Sequence, residues 1–251
     1  MYIQKIERAF CLFVFLFSFF NEQTAFSQTK DQIVNLVWQG VGGRQGWNEA
    51  RYFMFSCSTN LKETFSEEHS FLWDRSTGAC RFEGTNEQQQ KVIVLFNTNN
   101  DKGKVFIDNK AVNNKDSTAL IILPVKMTFD HETFWLFPPK SLTDASRLIV
   151  KDAELIGSTR YNVAEVQQFP TDTVPLKSKV YIDTNTGRIF QWLTLDEKER
   201  VMYKFLTSGF KDVGGGLLLP TVFIDAKSGF FMKFPIVSAL INIESDKLSK
   251  P

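Results

Sequence analysis

SFLWDRSTGACRFE, residues 70–83, reads as a strand, a turn and a second strand. In the turn, Asp74 can accept hydrogen bonds from the backbone N–H groups ahead of it, Ser76 or Thr77 can add another, and Gly78 can take the positive φ that closes a hairpin. The same spacing recurs at Asp183-Thr184-Asn185-Thr186-Gly187 and at Asp225-Ala226-Lys227-Ser228-Gly229, each time between two apolar runs. All three are read as β-hairpin turns. Their Asp oxygens would suit calcium, but an EF-hand loop needs acids at alternate positions and a terminal Glu, which these turns lack.

Outward from this hairpin, short aromatic and β-branched runs separated by turn residues continue along the chain. RYFMFSC, SFLWD, CRFE, KVIVLFN, KVFID, RLIVKD, YNVAEVQQF, KVYID, RIFQWLTL, RVMYKFL, LPTVFID and PIVSALINI are each expected to be a strand. So many strands must curl or close, which favours a barrel or a deeply curved half-barrel over a flat layer. Before them, Ile33, Leu36, Val37 and Val41 recur at helical spacing over residues 31–40, and Thr29 with Gln32 makes a capping box. Gly40, Gly42 and Gly43 end that helix; they are not a phosphate loop, because they follow a helix and position 45 is Gln.

One segment differs from the strands: TFDHETFWLFPPK, residues 128–140. Asp130 is read as the cap of a short helix carrying Phe134, Trp135 and Phe137, which Pro138 and Pro139 stop. So short a helix needs a surface for its aromatics, and the concave face of the sheet is the expected one. VGGGL, residues 213–217, reads as a flexible loop.

Residues 1–27 read as a cleavable signal peptide. Lys5 and Arg8 precede an apolar run from Ala9 to Phe20, and Ala25 and Ser27 offer the small residues of a cleavage site. The run is shorter than the about 20 residues a membrane span needs. Residues 28–251 are then expected to form one exported β domain, in the periplasm first, with the cell surface or medium as other destinations. Cys57 and Cys80 remain in it, and a disulfide between them would be excluded if their strands were next-nearest neighbours, about 9.6 Å apart.

With 29 basic and 28 acidic residues the net charge is +1, and no basic stripe points to nucleic acid. The only histidines are His69 and His131, and the H-E-x-x-H, G-x-S-x-G and C-x-x-C signatures are absent. No catalytic residue, metal ligand or cofactor is therefore assigned. Asp130-His131-Glu132 could supply an acid/base pair or metal ligands to an unrecognised hydrolase, but charging the helix N-terminus accounts for it more simply. Glu67-Glu68-His69 is read as loop charge between strands. The aromatic load, 25 Phe and five Trp, either fills a core or lines a cavity for an apolar ligand.

Four motifs carry a resemblance: Trp47-Asn48-Glu49-Ala50-Arg51-Tyr52-Phe53, the hairpin Trp73–Arg81, the segment Glu132–Pro138, and Tyr181–Trp192. In this order, behind a leader and an N-terminal helix, they resemble the periplasmic lipoprotein carrier LolA and its acceptor LolB, and exported carrier-like proteins of Bacteroidota. The resemblance implies a mainly β fold with a few short helices: a curved antiparallel half-barrel with an N-terminal helix, short lid helices and an apolar cavity. It further implies a lipid, an acyl chain, a lipidated protein or another apolar ligand as partner, with transient contact to a membrane surface. Phe134, Trp135, Phe137 and Trp192 are the expected wall or lid. No Arg-Pro dipeptide follows an early strand as it does in LolA, and no functional residue is carried over. A structural or interaction protein of the cell envelope with a solid core is the alternative.

Overall fold

The computed structural model describes residues 29–60, 68–100, 102–145, 147–168, 176–244 and 246–251. The leader read in residues 1–27 lies outside the described residues. The strands are β1 (Tyr52–Thr59), β2 (His69–Asp74), β3 (Ala79–Thr85), β4 (Lys91–Asn97), β5 (Gly103–Ile107), β6 (Lys110–Ala111), β7 (Arg147–Ile156), β8 (Thr159–Gln168), β9 (Leu176–Asp183), β10 (Ile189–Leu195), β11 (Val201–Ser208), β12 (Lys211–Asp212), β13 (Leu218–Leu219), β14 (Val222–Asp225), β15 (Phe231–Lys233) and β16 (Val237–Leu240). The helices are α1 (Lys30–Gly40), α2 (Arg44–Glu49), α3 (Lys115–Leu136) and α4 (Pro138–Asp144).

Among the described residues, fourteen strands make one open, curved antiparallel sheet, a half-barrel in the order β6-β5-β4-β3-β2-β1-β15-β14-β11-β10-β9-β8-β7, with β16 also paired to β1. β12 and β13 pair with each other. Each of the twelve expected runs contains a strand, although PIVSALINI keeps only Val237–Leu240. β1 lies at the centre, so the last strands of the chain stitch the β1–β6 meander to the β7–β11 meander.

The three Asp-to-Gly turns are built alike. The glycine N–H donates to the Asp carbonyl at 2.9, 2.9 and 2.8 Å for Gly78, Gly187 and Gly229, and their φ values are 75°, 72° and 75°. In each, the Asp Oδ1 accepts from the N–H two residues on, Ser76, Asn185 or Lys227, at 2.9 Å. Burial alone would raise these carboxyls, but hydrogen bonds outweigh it and hold all three below the usual value: from Arg51 and Ser76 for Asp74, from the turn residues Thr186 and Asn185 for Asp183, and from the N–H groups of Lys204, Lys227 and Ser228 for Asp225. Asp74 is also paired with Arg51 at 2.8 Å.

α1 has its capping box: Thr29 Oγ1 accepts from the Gln32 N–H at 3.3 Å, and Gln32 Oε1 accepts from the Thr29 N–H at 2.8 Å. Its end abuts the β9–β10 turn so closely that a Cβ on Gly40 would lie 2.3 Å from the Gly187 carbonyl carbon. The 213–217 loop is not loose. Leu218 N–H donates to Val41 O at 2.9 Å, Ala239 N–H to Val213 O at 2.7 Å, and Val213 and Leu217 are buried.

The helix expected at residues 128–140 is larger and begins elsewhere. α3 runs 22 residues, and its cap is Asn114, whose side chain accepts from the Ser117 N–H at 3.0 Å. Asp130 is therefore no cap, and Asp130, His131 and Glu132 sit in the last two turns rather than the first. Pro124 lies inside the helix, and Pro138 and Pro139 do not simply stop it, since they open α4. Cys57 and Cys80 are not bonded to one another; β2 separates their strands.

Candidate functional site

Because side chains alternate along a strand, each strand offers one set of residues to the helices and the other to the outside. On the helix-covered side the register places Phe55, Phe71, Phe82, Val94 and Val105 in one row across β1–β5. Across the other half, Ala164, Val180, Trp192 and Phe205 form a matching row over β8–β11. The face is apolar and largely aromatic.

α3, about 33 Å long at 1.5 Å per residue, crosses this face. Ile122 touches the position of Gly103 on β5, where a Cβ would come within 2.7 Å of it. Phe129 then meets Phe71, Trp73 and Phe96, with ring centroids 5.4, 5.4 and 6.0 Å away. At its end, Phe134 and Trp135 lie 5.0 and 5.2 Å from Trp192, and Trp135 also meets Phe205 at 5.2 Å and Phe223 at 5.5 Å.

The structure thus brings three of the four expected ligand residues together and places the fourth apart. Phe137, in the link to α4, belongs to a second aromatic group with Phe53 at 4.8 Å, Trp47 at 5.2 Å and Trp73 at 6.2 Å. All four side chains are buried.

Polar groups on this face fall into two kinds. His69 of β2 and Glu132 of α3 are 2.6 Å apart with side chains 1% exposed, a buried pair that fastens the helix to the sheet. Neither the loop reading of His69 nor the helix-end reading of Glu132 anticipated it. The two positions are 63 residues apart, and only the crossing of α3 over β2 makes them neighbours. Trp192 Nε1, Ser178 Oγ, Asn162 Nδ2 and Thr207 Oγ1, by contrast, are buried without a hydrogen-bond partner.

Asp130, His131 and Glu132 do not converge. Glu132 meets His69, His131 Nε2 accepts from Trp135 Nε1 at 3.2 Å, and burial pushes the Asp130 carboxyl up against the opposing pull of Lys126 and Lys140. Among the described residues no three His, Cys, Asp or Glu side chains are grouped to hold a metal. No described helix is long and apolar enough to cross a membrane.

The opposite side of the sheet carries a cleft of about 350 Å³ between Met54, Leu72, Arg81 and the chain's end at Leu240, Ile243 and Lys247. Arg81 closes it by donating to the carbonyls of Lys247, at 3.2 Å, and Lys250. The C-terminal segment is therefore tied down over β1–β3.

No family model matches the sequence. No curated protein is significantly similar to it. Solved structures do match. A LolA superfamily protein from Nitrosomonas europaea aligns with 89% of this chain and 98% of its own, at TM-score 0.51 and 12% identity. A DUF1329 family protein from Desulfovibrio piger aligns over 87% and 96%, at TM-score 0.47 and 8% identity. An outer membrane lipoprotein-sorting protein domain from Vibrio parahaemolyticus aligns over 88% and 97%, at 0.46 and 8%. The chain has a LolA/LolB-like fold.

Proposed function

We propose that this protein is an exported, carrier-like binding protein that takes a lipid, an acyl chain or another apolar ligand between α3 and the sheet. Phe134, Trp135, Phe137 and Trp192 form the wall and lid of that site, and residues 1–27 direct the chain to the periplasm. The observation that carries the proposal is the make-up of the interface over β8–β11. Rings face rings there, while Trp192 Nε1, Ser178 Oγ and Asn162 Nδ2 have no partner. A core built only for stability satisfies its buried polar groups. An apolar wall with a few spare polar groups is what a binding site offers. The LolA-like fold adds support at the level of analogy.

Energetics allow the exchange. Burying a methylene is worth about 0.8 kcal/mol, so twelve of them contribute about 10 kcal/mol. Parting the four ring pairs of Phe134 and Trp135 gives up about 0.5–1.5 kcal/mol each beyond area burial. Burial of an acyl chain therefore outweighs the loss of these ring pairs.

The close edge-on packing of Trp135 against Trp192, Phe205 and Phe223 also fits a second reading, an envelope protein filled by its own side chains. Native mass spectrometry of gently purified protein separates the two. A carrier shows a co-purifying lipid mass or takes up a hydrophobic dye, whereas bare protein that takes up no dye contradicts the proposal.

A further inference from the structure

Arg75, in the β2–β3 turn, holds its guanidinium over the Trp47 ring at 4.1 Å and near the Phe53 ring at 5.8 Å. Its Nε and Nη1 atoms are buried without a hydrogen-bond partner, while the side chain as a whole is only half-buried and Nη2 is not among these buried atoms. Among the described residues it makes no ion pair. The adjacent Asp74 is taken up by Arg51 at 2.8 Å and by the Ser76 hydroxyl at 2.7 Å. Other arginines at this end are committed differently: Arg44 bonds Asn35, and Arg51 bonds Asp74. Among the described arginines, Arg75 is the one that combines an aromatic platform with buried donors lacking a partner; Arg188, over Phe210, is exposed.

That combination is costly in an unliganded protein. A guanidinium cannot shed its charge at ordinary pH, and burying it without an acceptor carries a desolvation penalty. Burial indeed lowers the Arg75 pKa, with no carboxylate raising it. Trp47 stacks in turn on Phe53 at 5.1 Å and meets Phe137 at 5.2 Å, so the aromatic group holding a proposed ligand residue lies directly behind the cation.

We propose that Arg75, stacked on Trp47, is the head-group site of this protein: it receives the anionic end, carboxylate or phosphate, of an amphiphile whose apolar tail enters beside Phe137. The tail's place rests on the carrier reading above; the anion site does not. The planar fork of arginine suits either anion through two parallel hydrogen bonds, which a lysine cannot reproduce.

The test is calorimetric titration of the purified chain with hexadecyl phosphate, palmitate, hexadecanol and inorganic phosphate, repeated on Arg75→Gln and Arg75→Lys. Circular dichroism and thermal unfolding check the fold of each variant. The expected result is that both charged amphiphiles bind about tenfold or more tighter than hexadecanol. Arg75→Gln should abolish that preference, bringing the affinities of hexadecyl phosphate and palmitate down to the level of hexadecanol, and Arg75→Lys should restore little of it. Equal binding of all three amphiphiles, or a charge preference that survives in Arg75→Gln, overturns the inference and leaves the carrier reading standing. Arg75-dependent binding of inorganic phosphate with no amphiphile bound supports the anion site and sinks the carrier reading.

Discussion

Asp74, Asp183 and Asp225 each trade water for hydrogen-bond donors of the folded chain, Arg51 and Lys204 among them, and the trade shows in their ionisation. Their carboxyls titrate below the ordinary 3.8 in the folded chain, so between the folded and unfolded values the unfolded chain binds more protons. The stability they confer is complete above about pH 5 and is lost as the pH falls through 3.8 toward the folded values. Asp130 runs the other way, because burial raises its pKa and its ionised form burdens the fold above pH 3.8. Thermal unfolding across pH should therefore show Asp130→Asn more stable than the parent at pH 7 and equal to it below about pH 3; a loss of stability at pH 7 would contradict the assignment. Gly187 is a steric counterpart. A Cβ there would lie 2.0 Å from the Leu36 carbonyl oxygen, at a φ of 72°. Gly187→Ala should lower stability by about 1–2 kcal/mol from the backbone alone, and by more if α1 must lift, read as a fall in the denaturant midpoint.

Among the elements, α3 separates what was legible from what was not. The turns could be read because Asp, Ser or Thr, and Gly act on their own neighbours. The helix could not be bounded in the same way. Its Asn114 cap is plain in retrospect, but Pro124 breaks the pattern, and Leu120, Leu123 and Met127 are exposed, so no clean amphipathic stripe marks residues 115–127. Only the aromatic end of the element stands out in the sequence, where Asp130 has the look of a cap that Asn114 provides. The His69–Glu132 pair was out of reach for a different reason, since nothing local links β2 to the far end of α3. Removing one member of a buried hydrogen-bonded pair costs about 1–3 kcal/mol. Glu132→Ala should lose that much in chemical unfolding. A change below 1 kcal/mol would show that the pair does not fasten the helix.

At the scale of the molecule, β6 and β7 are the two edges of the sheet, so the chain between them must cross from one edge to the other. α3 and α4 make that crossing over the aromatic face, and a carrier could part its interior there without unpairing a strand. The alternation within the strands made the sheet and the aromatic load readable from the sequence. Which rings meet was not readable, because it depends on the path of α3: Phe134 and Trp135 reach Trp192, while Phe137 falls among Trp47, Phe53 and Trp73. The most direct measurement is crystallographic location of a terminally brominated sixteen-carbon alcohol bound to the protein. Anomalous density for bromine between α3 and β8–β11, beside Trp192 and Ser178, is the expected result. Bromine only in the outer cleft beneath the C-terminal segment, or nowhere ordered at saturating ligand, would contradict a ligand held under the crossing helix.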